Sequence, residues 1–215
     1  MSWKTVDMSK DPRRGQFAYF RTLANPTAGV TVSVDVTDLR RWCGERELGF
    51  FLPFCYCAER AANAVSELRR RIRETEVVEY DWCPSSHILD LPDGSYCYCA
   101  LRSDVPFEQF LPAARAAQET ARRAPSLELA GEGDGEEYLY FSCLPWLTYT
   151  AIVQPMGIPA DSNPRITWGR YALQEGRWRM PVTLLVHHAL ADGLHIARFY
   201  QALDRELAAL TAERG

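Results

Sequence analysis

The stretch VHHALADGLHIARFY, Val186 to Tyr200, holds two structural periods. Upstream, MPVTLLV (Met180 to Val186) is an apolar run of strand-forming residues. Downstream, Ile196, Phe199, Leu203, Leu207 and Leu210 recur every three or four residues, as one face of a helix does. Between the two stand a pair of histidines, an aspartate and a glycine. The segment reads as a buried strand giving way to a helix, with Gly193 easing the backbone through the turn. Side chains alternate along a strand, so His187 and His188 point to opposite faces and only one can enter a given cleft. His188 and Asp192 lie four residues apart across the turn.

Three chemistries fit this cluster. A histidine titrates near neutrality and can take a proton from an alcohol as a general base. His188, Asp192 and His195 together contain metal-ligating types, but HxxxDxxH does not match a common metal spacing and no further ligand cluster adjoins it. The third reading is a buried histidine pair hydrogen-bonded at a strand end.

Outward from this stretch the pattern is mixed. VTVSVDVTDL predicts a strand over Val30–Leu39, with Val30, Val32, Val34 and Val36 on one face and Asp38 capping a short helix to Cys43. FFLPFCYCAERAANAVSELRRRI predicts one long helix from Phe50 to Ile72, Pro53 in its first turn. EVVEYDWC, SSHILDL and SYCYCALRSD read as strands, the last opened by the turn Pro92-Asp93-Gly94. A helix from Pro106 follows, then a polar acidic loop, Glu132 to Glu137, read as a solvated turn. YLYFSCLPWLTYTAIV reads as a strand interrupted at Leu-Pro. PRITWGRYAL and RMPVTLLVHH are two more, joined at Gln174-Glu175-Gly176. Several strands adjacent in sequence imply a mixed sheet covered by helices.

Composition narrows the class. The chain has 215 residues, 47% hydrophobic and 24% charged, as expected of a soluble globular protein. A formal net charge of −4 argues against nucleic-acid and anionic-membrane partners, which want a basic face. No apolar stretch reaches bilayer length, and the first residues carry no apolar export signal. Seven cysteines read as reduced thiols of a cytoplasmic protein. The pairs Cys55/Cys57 and Cys97/Cys99 read as buried small hydrophobes, and no metal is expected.

HHALADGLHIARF resembles the HHxxxDGxHxxRF signature of the chloramphenicol acetyltransferase family. Other segments agree in order: RRGQFAYFR (Arg13–Arg21), VDVTDL, FSCLPWLTY with its S-x-L-P-W motif, and ITWGRY. The resemblance runs over nearly the whole chain. It implies an α/β two-layer sandwich, a large mixed β-sheet packed with helices, as a single acetyltransferase domain over residues 1–215. It implies a homotrimer with active sites between subunits. The activity implied is transfer of acetyl from acetyl-CoA to a hydroxyl of chloramphenicol or a related small molecule, by direct transfer in a ternary complex.

Residue by residue, the resemblance makes His188 the general base and Ser142 the donor to the oxyanion. Asp192 pairs with Arg13 to brace the loop holding His188. Thr167 matches a threonine that holds an ordered water. Arg170 and Tyr171 fall where the family approaches CoA, and Tyr98 and Ala100 where it lines the acceptor pocket. His195 supports the loop, and His187 is a core residue. One departure concerns the acceptor: the family's drug-inactivating members carry phenylalanine then tyrosine where this chain has Tyr19-Phe20. On a strand that shift moves the phenol to the opposite face, and Ala24, Pro26 and Ala28 follow where those members carry larger groups. Two alternatives therefore stand beside the drug acetyltransferase: a same-fold enzyme with a different hydroxyl acceptor, and a binding homologue without turnover. A dihydrolipoyl acyltransferase domain shares HxxxDG, but the sequence shows no lipoyl domain or Pro/Ala-rich linker.

Overall fold

The apolar run before His188 forms the longest strand of a seven-stranded sheet. The structure, a computed structural model, describes residues 1–128 and 135–212. Its elements in chain order are β1 (Trp3–Val6), α1 (Arg14–Phe20), β2 (Thr27–Asp35), α2 (Thr37–Glu45) and α3 (Phe51–Asn63). A 3-10 turn (Ser66–Arg69) leads to β3 (Arg70–Arg73), β4 (Glu76–Tyr80), β5 (Ser85–Asp90) and β6 (Tyr96–Leu101). Then come α4 (Phe107–Arg123), β7 (Leu139–Leu144), β8 (Arg165–Gly169), β9 (Ala172–Gln174), β10 (Arg177–His187) and α5 (Gly193–Ala212).

The large sheet runs β2-β10-β8-β7-β5-β6, with β9 pairing the outer end of β10. β10 is antiparallel to β2 and β8, whereas β7 is parallel to β5 and β8, so the sheet is mixed. β1, β4 and β3 form a small antiparallel sheet. Register and alternation sort the large sheet into two faces. Val182, Leu184, Val186, Ile166, Trp168, Phe141, Leu89, Cys97 and Cys99 share the face that the helices cover, and all are buried. Trp168 anchors this layer against Phe51, Phe54 and Phe141, with ring centroids 4.9–5.6 Å apart. Each of the valine, leucine, isoleucine and phenylalanine side chains in it contributes about 1.5–3 kcal/mol by burial. The opposite face stays open. There Ile88 is 40% and Tyr96 46% exposed, and the segment 145–158 lies partly across it.

Several elements depart from the sequence pattern. The helix expected over Phe50–Ile72 stops at Asn63. The Asn63 amide donates to the carbonyls of Glu59 and Cys83 and accepts from Cys83 N–H, tying the helix end to the strand region beyond. Val65 and Leu68 keep the apolar spacing because they still face the core, but from an extended residue and a 3-10 turn. Pro53 does sit in the first turn of α3. Asp38 does not cap α2. It lies inside the first turn and pairs with Arg41 at 2.8 Å. The strand expected over Val30–Leu39 runs Thr27–Asp35, and of its valine face only Val34 is buried within the strand, with Val36 just beyond. β7 ends at Leu144 and does not resume after Pro145. The turn at Gln174-Glu175-Gly176 is as expected: Glu175 and Gly176 have φ of 50° and 78°, the left-handed pair that a tight hairpin needs. In the acidic loop, residues 129–134 lie outside the described residues. Glu136 and Glu137 are not simply solvated: Glu136 pairs with Arg73 and Glu137 is buried. All seven cysteines are free, and all but Cys143 are buried. No helix among the described residues is long and apolar enough to cross a membrane.

His87 sits on the helix-covered face, 1% exposed, its Nε2 3.0 Å from the Gln118 amide. Burial pushes its pKa down to about 4. Between the ordinary value of 6.5 and about 4, the unfolded chain binds a proton that the folded chain does not. This contribution is therefore whole above pH 6.5 and is lost as pH falls toward 4, by about 3 kcal/mol. Urea unfolding of wild type and His87→Gln at neutral pH and near pH 5 checks this. The variant is expected to lose less stability on acidification. It keeps part of the slope, because burial lowers the pKa of His187 and His195 as well.

Candidate active site

β10 ends at His187, and the chain turns sharply into α5. His188 N–H donates to Pro26 O at 2.7 Å, and Leu190 and Ala191 N–H fold back onto His187 O. Asp192 then caps α5, its Oδ1 accepting the N–H of Leu194 at 3.0 Å. Its Oδ2 pairs with Arg13 Nη1, while Arg13 Nη2 donates to the carbonyl of His188 at 2.9 Å. One guanidinium thus holds both ends of the five-residue turn from His188 to Asp192. The Arg13 side chain is only 11% exposed, so the pair is partly screened from water. His195 closes the other side, Nδ1 2.8 Å from Asp192 Oδ1, and burial lowers its pKa, which favours the neutral ring. His187 is buried on the opposite side of the strand.

This bracing fixes the His188 ring. Nδ1 lies 3.0 Å from Ala191 O. A carbonyl only accepts, so Nδ1 carries the proton and the lone pair is left on Nε2. The Phe20 ring lies against the imidazole, centroids 3.9 Å apart and planes tilted by 32°. Tyr19 meets Phe20 edge-on and is 62% exposed. Both are on α1, not on a strand. Neighbouring helical residues differ by about 100° around the axis, so the phenol is turned aside and not placed on an opposite face.

The remaining predicted residues lie elsewhere. Ser142 is on β7, on the open face, in register with Thr167 of β8, which is in register with Thr183 of β10. Five residues of strand at ~3.3 Å each and two strand spacings of ~4.8 Å put Ser142 and His188 roughly 19 Å apart within one chain. The chain does not bring the expected base and the expected oxyanion donor together. Thr167 is 1% exposed. Its hydroxyl accepts from Gln154 Nε2 at 2.9 Å, and its carbonyl accepts from Tyr149 O–H at 2.8 Å. A cavity of about 800 Å³ on this face is lined by Ser142, Ser86, Ile88, Tyr98, Tyr140 and Gln154. Ala100 is two residues along β6 from Tyr98, on the same face. Arg170 is exposed beyond the end of β8. Its N–H bonds Leu147 O at 2.6 Å, an approach that Gly169 permits, since a Cβ there would stand 2.5 Å from the same oxygen. Tyr171 packs on Phe50 and Trp178 beneath Arg40, away from His188.

The competing readings of the cluster also meet the geometry. His188, Asp192 and His195 form no metal-holding group among the described residues, and Asp192 is committed to a cap and an ion pair. The sequence reading missed Gln154 and Tyr149. Tyr149 lies within the quoted FSCLPWLTY, but nothing in the pattern around Gln154 marks it out.

A profile of the family described as chloramphenicol acetyltransferase matches residues 1–204. A curated relative from a Klebsiella species, a chloramphenicol acetyltransferase, is 27% identical over 94% of this chain and 93% of its own. A solved chloramphenicol acetyltransferase superposes with a TM-score of 0.87 at 25% identity, covering 96% of this chain and 100% of its own. The cubic core of a pyruvate dehydrogenase complex superposes at 0.70 with 17% identity, covering 93% and 88%, a likeness of fold alone.

Removing either partner of the Arg13–Asp192 pair strands a partly buried charge. Arg13→Ala and Asp192→Ala are each expected to lower unfolding free energy by about 2 kcal/mol, less than for a fully buried pair because Asp192 is a third exposed. The double variant should cost less than the sum of the two, as a denaturation double-mutant cycle would show.

Proposed function

The chain belongs to the chloramphenicol acetyltransferase family, and from that membership we propose how its residues act. It is an acetyl-CoA-dependent acyltransferase. His188 Nε2 takes the proton of an acceptor hydroxyl as that oxygen attacks the thioester carbonyl. The observation that carries this is the imidazole held in a single tautomer with Nε2 free. Ser142 donates a hydrogen bond to the oxyanion, a contribution of about 3 kcal/mol for a preorganised donor. Arg13 and Asp192 keep the base in place. Thr167 positions a water beside the reacting atoms, and Arg170 and Tyr171 contact the donor. Chloramphenicol or a related small hydroxyl compound is the acceptor, held with help from Tyr19, Phe20, Tyr98 and Ala100.

The working form we propose is a cytoplasmic homotrimer of one-domain chains, residues 1–215. The separation of roughly 19 Å supports it: a second copy must supply Ser142 to the His188 of the first. The open sheet face, with exposed Ile88 and Tyr96, gives such an interface apolar area. A second reading, the same chemistry on a different hydroxyl acceptor, is favoured by one observation: the ring against His188 is Phe20, which has no hydroxyl to offer, while Tyr19 points outward.

Thiol release from acetyl-CoA tests the chemistry. Wild type with chloramphenicol should release CoA rapidly, His188→Ala should not, and Ser142→Ala should lose about 10²–10³ in kcat. Release with other hydroxyl compounds but not with chloramphenicol would select the second reading. Co-expressing His188→Ala with Ser142→Ala tests the shared site. Random trimers should regain roughly a quarter of wild-type activity, because one interface in four carries both intact residues. No recovery would place both groups in one chain.

A further inference from the structure

Register rules the open face of the large sheet into rows. The row through Ser142 carries hydroxyls. The next row, two residues or about 7 Å along the strands, runs Ala100, Ser86, Tyr140, Arg165 and Leu185 across β6, β5, β7, β8 and β10. Ser86, Tyr140 and Arg165 of this row line the cavity of about 800 Å³ that Ser142 borders. A guanidinium in the middle of a sheet face is the unexpected member. The Arg165 side chain is 13% exposed and sits over the Tyr140 ring at 5.3 Å. Its two Nη atoms hold Asp161 at 2.9 and 2.7 Å, and Nη1 also donates to Asn163 O at 3.3 Å. Three of its five N–H groups are thus engaged, and Nε–H has no partner among the described residues. The hydroxyl of Ser86, a buried residue, has none there either. Tyr140 spends its proton on Gly135 O at 3.3 Å and keeps its lone pairs.

These groups set the chemistry of the acceptor. An aryl or alkyl surface laid on this row would cover the Ser86 hydroxyl and the spare Arg165 donor without pairing them. A site built from hydrogen-bonding groups rejects a molecule that leaves them unpaired. An anion is not called for, because Asp161 already matches the guanidinium through both oxygens. The other ionised side chain on the lining, Glu128, is exposed, where water and salt screen it. We propose that the acceptor is an uncharged polyhydroxylated molecule, with the chemistry of a sugar or a cyclitol, read by Arg165, Ser86 and Tyr140. One hydroxyl attacks the thioester carbonyl and gives its proton to His188 Nε2. The C–S bond breaks, the proton passes on to sulfur, and the products are an acetate ester and free CoA. Neighbouring hydroxyls accept from Arg165 Nε–H and pair with Ser86 and Tyr140. The assignment rests on the acetyl-transfer reading and gives its second form a substrate class.

Thiol release from acetyl-CoA by the full chain, with the ester identified by mass, tests it. The probes are methyl α-glucoside, myo-inositol and sorbitol, each set against chloramphenicol, glucosamine and glucuronate. At least one of the three polyols should give a kcat/KM above that of chloramphenicol. In Arg165→Met the KM for that polyol should rise about tenfold or more with kcat largely kept, while turnover of chloramphenicol is kept or raised. Ser86→Ala strands no charge. It should raise the polyol KM several-fold, and it carries the test should Arg165→Met fold poorly. All three polyols reacting more slowly than chloramphenicol overturns the assignment and leaves acetyl transfer standing. So does a polyol KM within about twofold of wild type in both variants. A tenfold preference for glucosamine or glucuronate overturns it too, since the acceptor would then be charged. Wild type that releases CoA with none of the probes overturns the acetyl-transfer reading with it.

Discussion

The contact between Arg13 and Asp192 governs more of this molecule than its size suggests. The carboxylate ends the unpaired run of N–H groups at the start of α5, neutralises a guanidinium brought in from the N-terminal segment, and meets His195. The same guanidinium reaches the carbonyl of His188. The turn between the longest strand and the last helix is thereby fixed at both ends. The imidazole inherits that rigidity: its Nδ1 finds Ala191 O because the turn is closed, and its exposed nitrogen follows from the bond. An ion pair of this kind adds little net stability. What it supplies is a single geometry for the imidazole of His188, the group proposed as the base.

The two faces of the sheet divide the labour. The covered face is a close-packed layer of aromatic, aliphatic and thiol groups around Trp168. The open face carries a row of hydroxyls across four strands in register, Thr31, Thr183, Thr167 and Ser142. Tyr149 and Gln154 hold the middle of that row, and Ser142 is left beside the cavity. A buried helix-side core and a polar outer row are what a period-2 pattern gives once one face alone is packed.

Legibility followed the strength of local signals. The strand-to-helix switch at Val186–Tyr200 was plain, because a continuous apolar run and a spacing of three to four do not mimic each other. The end of α3 was not. The apolar spacing carries on past Asn63, and only the side-chain bonds from Asn63 to Glu59 and Cys83, twenty residues on in the second case, show that the helix has stopped. α1 was hidden for a similar reason: Arg14–Phe20 is a short helix with a single buried residue, Phe17, too little to set a period. Asp192 was legible as a partner of Arg13 but not as a helix cap. Arg165 looks like any strand charge until the register sets it in the row beside Ser142.

The order of the strands has a consequence for how the chain is made. The last strand in sequence, β10, lies between β2, formed early, and β8. A growing chain therefore holds β2 as an unsatisfied edge while the strands between are synthesised, because its partner among the described residues is the strand over residues 177–187. Truncated or stalled products would expose two bare edges at once, a condition that invites pairing with other chains. The sheet closes one strand in from its edge, and only when the last of its strands emerges, so β2 must wait for β10 before the layer is continuous.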